Sequence, residues 1–128
     1  MAEDRRLGSL TRSLTFTIPG KPVPASRPRV TSGHVYYPRR YADWLLDATI
    51  WARRAFGTGE LWDGPCILEA WFYGLAANAD IDNALKAVLD CTQGTIVVND
   101  RQYREVHAFR ESYIGDDGPC VRVKVRKL

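Results

Sequence analysis

The sequence predicts a single α+β domain in which about five strands form a mixed sheet and two principal helices pack on that sheet. Short segments near both ends of the chain alternate apolar and polar residues, which is typical of strands with one buried face. Two longer segments carry apolar residues at helical spacing. The chain has 128 residues, a length that fits one domain with one core. The order of the strands does not follow from these patterns.

The composition is that of an ordinary globular protein. Hydrophobic residues make up 45% of the chain and charged residues 26%, and the formal net charge is +3. That charge tolerates a polyanionic partner without demanding one. No stretch approaches the roughly 20 apolar residues of a membrane span, and no secretion signal is visible. The three cysteines form no CxxC pair and the two histidines lack ligand spacing, so we expect reduced thiols, no zinc site and a cytoplasmic location.

The N-terminal part predicts a tail, a strand and a stiff loop. Residues 1–13 mix charges with Ser, Thr and Gly, so we expect a flexible tail before a domain that spans 14–128. Leu14–Ile18 alternates apolar and polar residues and predicts a strand that ends at Pro19. Lys21–Pro28, called the arm below, contains three prolines and predicts an extended surface loop.

The arm and its surroundings carry the cations that could contact phosphates. Prolines stiffen the backbone, so cations displayed on the arm lose less entropy when they bind. The alternative is an ordinary solvated loop. The candidate phosphate-binding residues are Lys21, Arg27, Arg29, Arg39 and Arg40.

A hairpin and a helix are predicted after the arm. Val30–Thr31 and Val35–Tyr37 are separated by Ser-Gly-His, which predicts a short hairpin. Apolar residues then recur at helical spacing from Tyr41 to Phe56, with charged residues on the other side. Pro38 and Gly57 mark the start and the end of this helix. We expect its aromatic side chains to lie in the core and not to stack on bases.

Three later segments predict strands. Cys66–Tyr73 is apolar and rich in aromatic residues, so we expect a largely buried strand. Its one charge, Glu69, either meets a partner in a metal cluster or points to solvent. Gln102–Tyr113 and Val121–Arg126 also alternate, and the latter predicts one valine face that is buried and one basic face. That basic face either lies along a nucleic acid or keeps an edge strand soluble.

The most informative stretch is Asp80–Asp90. Asp80 and Asp82 are two residues apart, so in an extended segment both carboxylates would point to the same side. Asp82 is also a suitable N-cap for the helix that the following apolar spacing predicts. Lys86 lies on that helix, and Asp100 follows the short apolar run that comes next.

Three carboxylates that converge with one lysine predict a site for a hard cation. Mg²⁺ takes one or two protein carboxylates, keeps several waters and leaves positions for a phosphate. We assign Asp80, Asp82 and Asp100 as metal ligands, and Lys86 as a charge for a phosphate oxygen or an attacking water. In the alternative, each residue has a local role as a cap, a turn residue or a Lys86–Asp90 ion pair. Capping by Asp82 would leave Asp80 without a role, which favours the metal site.

At these residues the sequence resembles the RusA-like Holliday junction resolvases. The resemblance covers roughly residues 14–127. The family pattern usually carries a lysine before its Arg-Pro-Arg block, where this chain has Ala25-Ser26, and this departure weakens a phosphate contact at that position. The blocks that carry the resemblance are Asp80-Ile81-Asp82-Asn83 with Lys86 and Asp90, Asn99-Asp100-Arg101-Gln102, Gly20-Lys21-Pro22-Val23-Pro24 and Arg27-Pro28-Arg29.

The resemblance implies an endodeoxyribonuclease that resolves four-way DNA junctions as a homodimer. It implies one or two Mg²⁺ ions per subunit, or Mn²⁺ in their place, and paired symmetric cuts that leave 5′-phosphate and 3′-hydroxyl ends. Asp80, Asp82, Lys86 and Asp100 would be its catalytic residues. Two alternatives stay open: a metal-dependent nuclease for flaps or other branched DNA, and a non-catalytic DNA-binding module of the same fold. Members of the family often occur in phages and prophages, so a viral origin fits.

Overall fold

A computed structural model describes residues 12–112 and 115–128 of the chain. The tail predicted for residues 1–13 lies outside these residues, except for Arg12 and Ser13, which belong to the first strand. Tyr113, where the sequence predicted the end of a strand, also lies outside them. The elements are β1 (Arg12–Pro19), β2 (Arg29–Thr31), β3 (His34–Tyr36), α1 (Arg39–Phe56), β4 (Cys66–Tyr73), α2 (Ile81–Thr92), a 3₁₀ helix (Asp100–Gln102), β5 (Tyr103–Glu111) and β6 (Cys120–Lys127).

The predicted α+β class with two helices and a mixed sheet is confirmed. The main sheet has four strands in the order β1-β6-β4-β5, where about five were predicted. The difference arises because β2 and β3 pair with each other in a separate two-stranded sheet. In the main sheet β6 runs antiparallel to both of its neighbours, while β4 and β5 are parallel. The parallel pair requires a crossover, and α2 provides it.

The core lies between the two helices and one face of the main sheet. Alternate residues of β4 and β6, such as Phe72 and Val123, are buried on this face. The aromatic side chains Tyr41 and Trp44 of α1 are also buried there, as predicted. Gly57 ends α1 with a φ of 80°, a left-handed conformation that glycine adopts without strain. No helix within the described ranges is apolar and long enough to cross a membrane.

The opposite face of the main sheet carries polar and aromatic side chains. Arg122 and Lys124 alternate with the buried valines of β6, so the predicted basic face is confirmed. Glu69 is half-buried and pairs in register with Lys124 on one side and His107 on the other. Because its neighbours in β4 face the helices, Glu69 faces away from α2.

Candidate active site

The N-terminus of α2 holds two of the predicted carboxylates. The helix begins at Ile81, Asp80 occupies the N-cap position, and Asp82 lies in the first turn. The prediction that Asp82 is the N-cap was therefore wrong by two residues. The backbone N–H of Ala84 donates to the carbonyl of Asp80 at 3.1 Å, which closes the first turn two residues earlier than the apolar spacing indicated.

This early start also changes the geometry of the pair. Asp80 has extended backbone angles but Asp82 is helical. The expectation that both residues lie in one extended segment was therefore wrong. Within the described residues, the Asp80 side chain makes no capping hydrogen bond. Both residues are exposed. The partial positive charge at a helix N-terminus favours carboxylates at this end, and the Asp80 carboxylate is not used to cap the helix.

Lys86 forms an ion pair with Asp90, and Asp90 in turn accepts a hydrogen bond from a buried tyrosine. Its Nζ donates to Asp90 Oδ1 at 3.2 Å, across one turn of α2. The hydroxyl of Tyr41 donates to the other oxygen, Asp90 Oδ2. Tyr41 comes from α1 and is 1% exposed, whereas the side chain of Asp90 is 20% exposed and that of Lys86 62%. Burial, followed by the hydrogen bond to Asp90 and the charge of Asp90, raises the pKa of Tyr41 well above its ordinary value.

These contacts confirm the Lys86–Asp90 ion pair that the sequence left as a possibility. They add Tyr41, which the sequence analysis placed only in the core. The partners Tyr41 and Asp90 are 49 residues apart, so no local pattern could have indicated their contact. The result is a lysine with a largely exposed side chain whose ammonium group is held by Asp90.

A cavity of about 490 Å³ lies between the arm and α2. The backbone N–H of Ala25 donates to the carbonyl of Asn83 at 2.9 Å and ties the arm to the first turn of the helix. Arg27 of the arm and Lys86 of the helix therefore line the same cavity. Its walls are formed by Ala25, Ser26, Arg27, Pro28, Tyr37, Asn83, Lys86 and Asp90.

Asp100 is fixed at the other end of α2. Its backbone N–H donates to Oε1 of Gln93, the C-cap residue of the helix, at 2.9 Å. Asn99 and Gln102 form a capping box around it, and Gln102 Nε2 donates to the carbonyls of Trp62 and Gly64 at 2.8 and 2.9 Å. The spacing of Asn and Gln three residues apart is a signal from which the sequence analysis could have predicted this cap.

The structure therefore does not bring the three predicted ligands together. The 12 residues of α2 span about 18 Å at 1.5 Å per residue, and this length separates Asp100 from Asp80. Within residues 12–112 and 115–128, no group of three or more His, Cys, Asp or Glu side chains is placed to hold a metal ion. Asp80 and Asp82 share one end of the helix, and Asp100 lies at the other.

The remaining predicted cations are all exposed. Arg29 is the first residue of β2, and Arg39 and Arg40 open α1. Arg39 pairs with Asp43 at 3.7 Å between side chains that are 93% and 71% exposed, so this ion pair holds neither residue firmly. Lys21 follows the end of β1. Of the five cations, only Arg27 lines the cavity beside Lys86.

Comparison with known families shows which family this chain belongs to. The family model described as endodeoxyribonuclease RusA matches residues 19–126. The chain belongs to the RusA endodeoxyribonuclease family. A search of curated proteins found no match. The RusA family consists of endonucleases that act on branched DNA and resolve Holliday junctions, so the resemblance found in the sequence is confirmed, as is the expectation of an endodeoxyribonuclease.

RusA-type nucleases usually depend on a metal ion. Two carboxylates of this chain are suitable ligands for one. The pair Asp80 and Asp82 fits, because Mg²⁺ accepts one or two carboxylates and fills its other positions with water and phosphate. The Asp80 carboxylate is not occupied by capping. A site with all three aspartates does not form within one chain, since Asp100 lies one helix length away.

Proposed function

We propose that this RusA-family chain is a Mg²⁺-dependent Holliday junction resolvase that acts as a homodimer and cuts two opposed strands symmetrically. The observation that carries the proposal is the cavity that both Arg27 and Lys86 line. Lys86 lies one turn after Asp82 on α2, the helix that begins with the Asp80 and Asp82 carboxylates. Two cations in one cavity suit a DNA phosphate, and two carboxylates at the start of the same helix suit a divalent ion. The cuts leave 5′-phosphate and 3′-hydroxyl ends, and the protein acts on DNA in the cytoplasm.

The residues divide the chemistry between them. Asp80 and Asp82 would hold Mg²⁺, or Mn²⁺ in its place. The bound ion would supply a water of lowered pKa and would polarise the phosphate. Lys86 donates to a non-bridging oxygen of the scissile phosphate and stabilises the charge that develops there. Asp90 keeps the ammonium group of Lys86 in place, and Arg27 binds a phosphate in the opposite wall of the cavity.

A homodimer meets the main geometric requirement of this reaction. A four-way junction needs cuts in two opposed strands, and a two-fold axis presents two identical sites. The distance between Asp80 and Asp100 supports a further role for the dimer. A two-fold axis can place the Asp100 end of one chain against the Asp80 end of the other, and it does so twice. In this arrangement Asp100 completes the site of the second copy.

The shared site can be tested by combining two inactive variants. Asp80→Asn and Asp100→Asn proteins are co-expressed with different tags, and the mixed dimer is purified. If the sites are shared, one site of the mixed dimer has both wild-type aspartates, and nicking of a junction returns. If each chain supplies its own Asp100, both sites are damaged and the mixed dimer stays inactive, which would remove Asp100 from the shared site.

The function itself is tested with labelled four-way junction, flap and linear duplex, each with Mg²⁺ or with EDTA. We expect paired cuts in the junction with Mg²⁺ and none with EDTA. Asp80→Asn serves as the inactive control. Cleavage of flaps in preference to junctions would instead identify a nuclease for other branched DNA. Tight binding without cleavage under any metal condition would identify a non-catalytic DNA-binding module.

A further inference from the structure

The hairpin formed by β2 and β3 displays an apolar pair to solvent. Val30 and Val35 stand directly opposite one another in the ladder, and each is 68% exposed. All six residues of the two strands are exposed. At the turn, Ser32 and Gly33 both have positive φ, 51° and 80°, as in the tight turns that give a hairpin its twist.

Such a hairpin needs a partner. Two strands alone are marginally stable in water, and this pair forms a sheet separate from the main one. A cross-strand pair of valines stabilises a sheet mainly when its outer surface is covered. The exposed valines therefore indicate that this surface meets another molecule.

Both ends of the hairpin border the cavity that contains Lys86. Arg27 and Pro28 line the cavity just before β2 begins, and Tyr37 lines it just after β3 ends. The ring of Tyr37 packs edge-on against Tyr41, with centroids 5.2 Å apart and an interplanar angle of 87°. The hydroxyl of Tyr41 in turn holds Asp90. The hairpin thus stands beside the candidate cleavage site, on a base fixed to the residues that hold Lys86.

Charge decides what kind of molecule covers the hairpin. From Gly20 to Ala42 the sequence contains five Lys or Arg residues and no Asp or Glu. Of these cations, Arg29 lies in the hairpin itself and the other four flank it in the sequence. A second copy of the same hairpin would therefore bring like charges together and be repelled. A nucleic acid offers the matching combination, since its phosphates are anionic and its base pairs present an apolar surface wherever stacking is interrupted.

We propose that the β2–β3 hairpin enters the branch point of a four-way DNA junction and that Val30 and Val35 pack against the base pairs exposed there. This inference rests on the proposed function, because it takes branched DNA as the substrate of the adjacent site. The hairpin marks the branch point, and its base sets the distance from there to the phosphate at Lys86. Linear duplex has no interrupted stack and offers the valines no place.

The test uses a four-way junction with 2-aminopurine at the branch point, in EDTA so that no strand is cut. Fluorescence of this base rises when it is unstacked. The variant is Val30→Thr with Val35→Thr, which keeps the shape and β-branching of both side chains but replaces a methyl with a hydroxyl. The matched control is Val106→Thr, a valine in the middle of β5 that is 40% exposed.

We expect wild-type protein and the control to raise the fluorescence and the double variant to do so much less. Preference for junction over linear duplex should fall roughly five- to twentyfold in the double variant, the scale for placing two hydroxyl groups in apolar contacts. Affinity for linear duplex should not change. If the double variant does not fold, each single Val→Thr variant serves for the same measurement.

Two results would overturn the proposal. One is an unchanged fluorescence rise and junction preference in the double variant, which would leave the hairpin as a solvated loop. The other is a double variant that sediments as a monomer while wild type sediments as a dimer, which would make the hairpin an interface between copies. Neither result depends on cleavage. Failure of wild type to cut a junction with Mg²⁺ would instead count against the proposed function.

Discussion

Replacing Asp90 with Asn should slow cleavage, because it releases the ammonium group of Lys86, and should leave DNA binding intact. In the wild type, one carboxylate oxygen accepts from Lys86 Nζ at 3.2 Å and the other accepts from Tyr41. An Asn side chain offers a single acceptor oxygen, and its amide group is a donor. If that oxygen accepts from Tyr41, the ammonium group of Lys86 loses its partner. The lysine then remains present and charged but is no longer held in one orientation.

The size of the effect follows from the exposure of the pair. An exposed ion pair one helical turn apart contributes about 0.3–0.5 kcal/mol, and a hydrogen bond to a charged group about 1.5–3 kcal/mol. Asp90 is 20% exposed and Lys86 62% exposed, so the pair lies between these limits. A loss of about 1.4 kcal/mol in the transition state lowers kcat about tenfold. Removal of the ammonium group in Lys86→Ala should lower kcat by a factor of roughly 10²–10³.

The assay is single-turnover cleavage of a labelled junction by four proteins: wild type, Asp90→Asn, Lys86→Ala and the double variant. If Asp90 acts through Lys86, the Asp90→Asn substitution should lower the cleavage rate about tenfold when Lys86 is present. It should hardly change the rate when it is made in the Lys86→Ala protein. Asp43→Asn is the matched control, because Asp43 makes the same kind of pair with Arg39 elsewhere. Equal losses with and without Lys86 would refute the argument and make Asp90 structural.

Two further predictions concern the carboxylates and the arm. Asp80→Asn and Asp82→Asn should each abolish cleavage yet leave junction binding intact or slightly tighter, because a carboxylate repels phosphate when no metal is present. Band shifts and cleavage gels measure both effects. Arg27→Ala with Arg29→Ala should weaken binding to all DNA shapes and reduce the slope of log K against log salt by about one unit per lost phosphate contact, as measured by anisotropy titrations.

Matched controls exist for both. Asp116→Asn changes an exposed aspartate in a turn and should cleave normally. Arg53→Ala with Arg54→Ala removes two exposed cations from the last turn of α1 and should leave the salt slope unchanged. Near wild-type cleavage by either variant at the start of α2 would take that residue out of the site. A salt slope that stays constant in the arm variant would return the arm to an ordinary solvated loop.

Patterns of short range predicted most of the fold. The helix between Pro38 and Gly57 and the valine face of β6 were predicted correctly, because each depends on residues a few positions apart. The sequence also indicated the β2–β3 hairpin but not its separation from the main sheet, since alternation does not specify which strands pair. The early start of α2 was missed because Asp80 and Asp82 are both suitable N-cap residues, and the apolar spacing that follows favoured Asp82.

The candidate site depends on contacts between residues far apart in the sequence, which local patterns do not predict. Nothing near Ala25 indicates that its backbone bonds to Asn83, yet this bond brings the arm to the helix and forms the cavity. Asp80 and Asp100 are close in sequence, which suggested that they converge. The helix between them has the opposite effect, because it carries the chain from one end of the sheet to the other.

The proposed function requires that two sites in one dimer cut a junction as a pair. The most direct measurement uses a supercoiled plasmid that extrudes a cruciform, incubated with dimers that combine one wild-type and one Asp80→Asn subunit. Wild-type dimers should cut both opposed strands within one complex and give linear plasmid. Mixed dimers hold fewer working sites, so the product should shift to nicked circle in step with their fraction. If linear product falls only with the amount of wild-type protein and no nicked circle accumulates, the sites are not paired and the claim is contradicted.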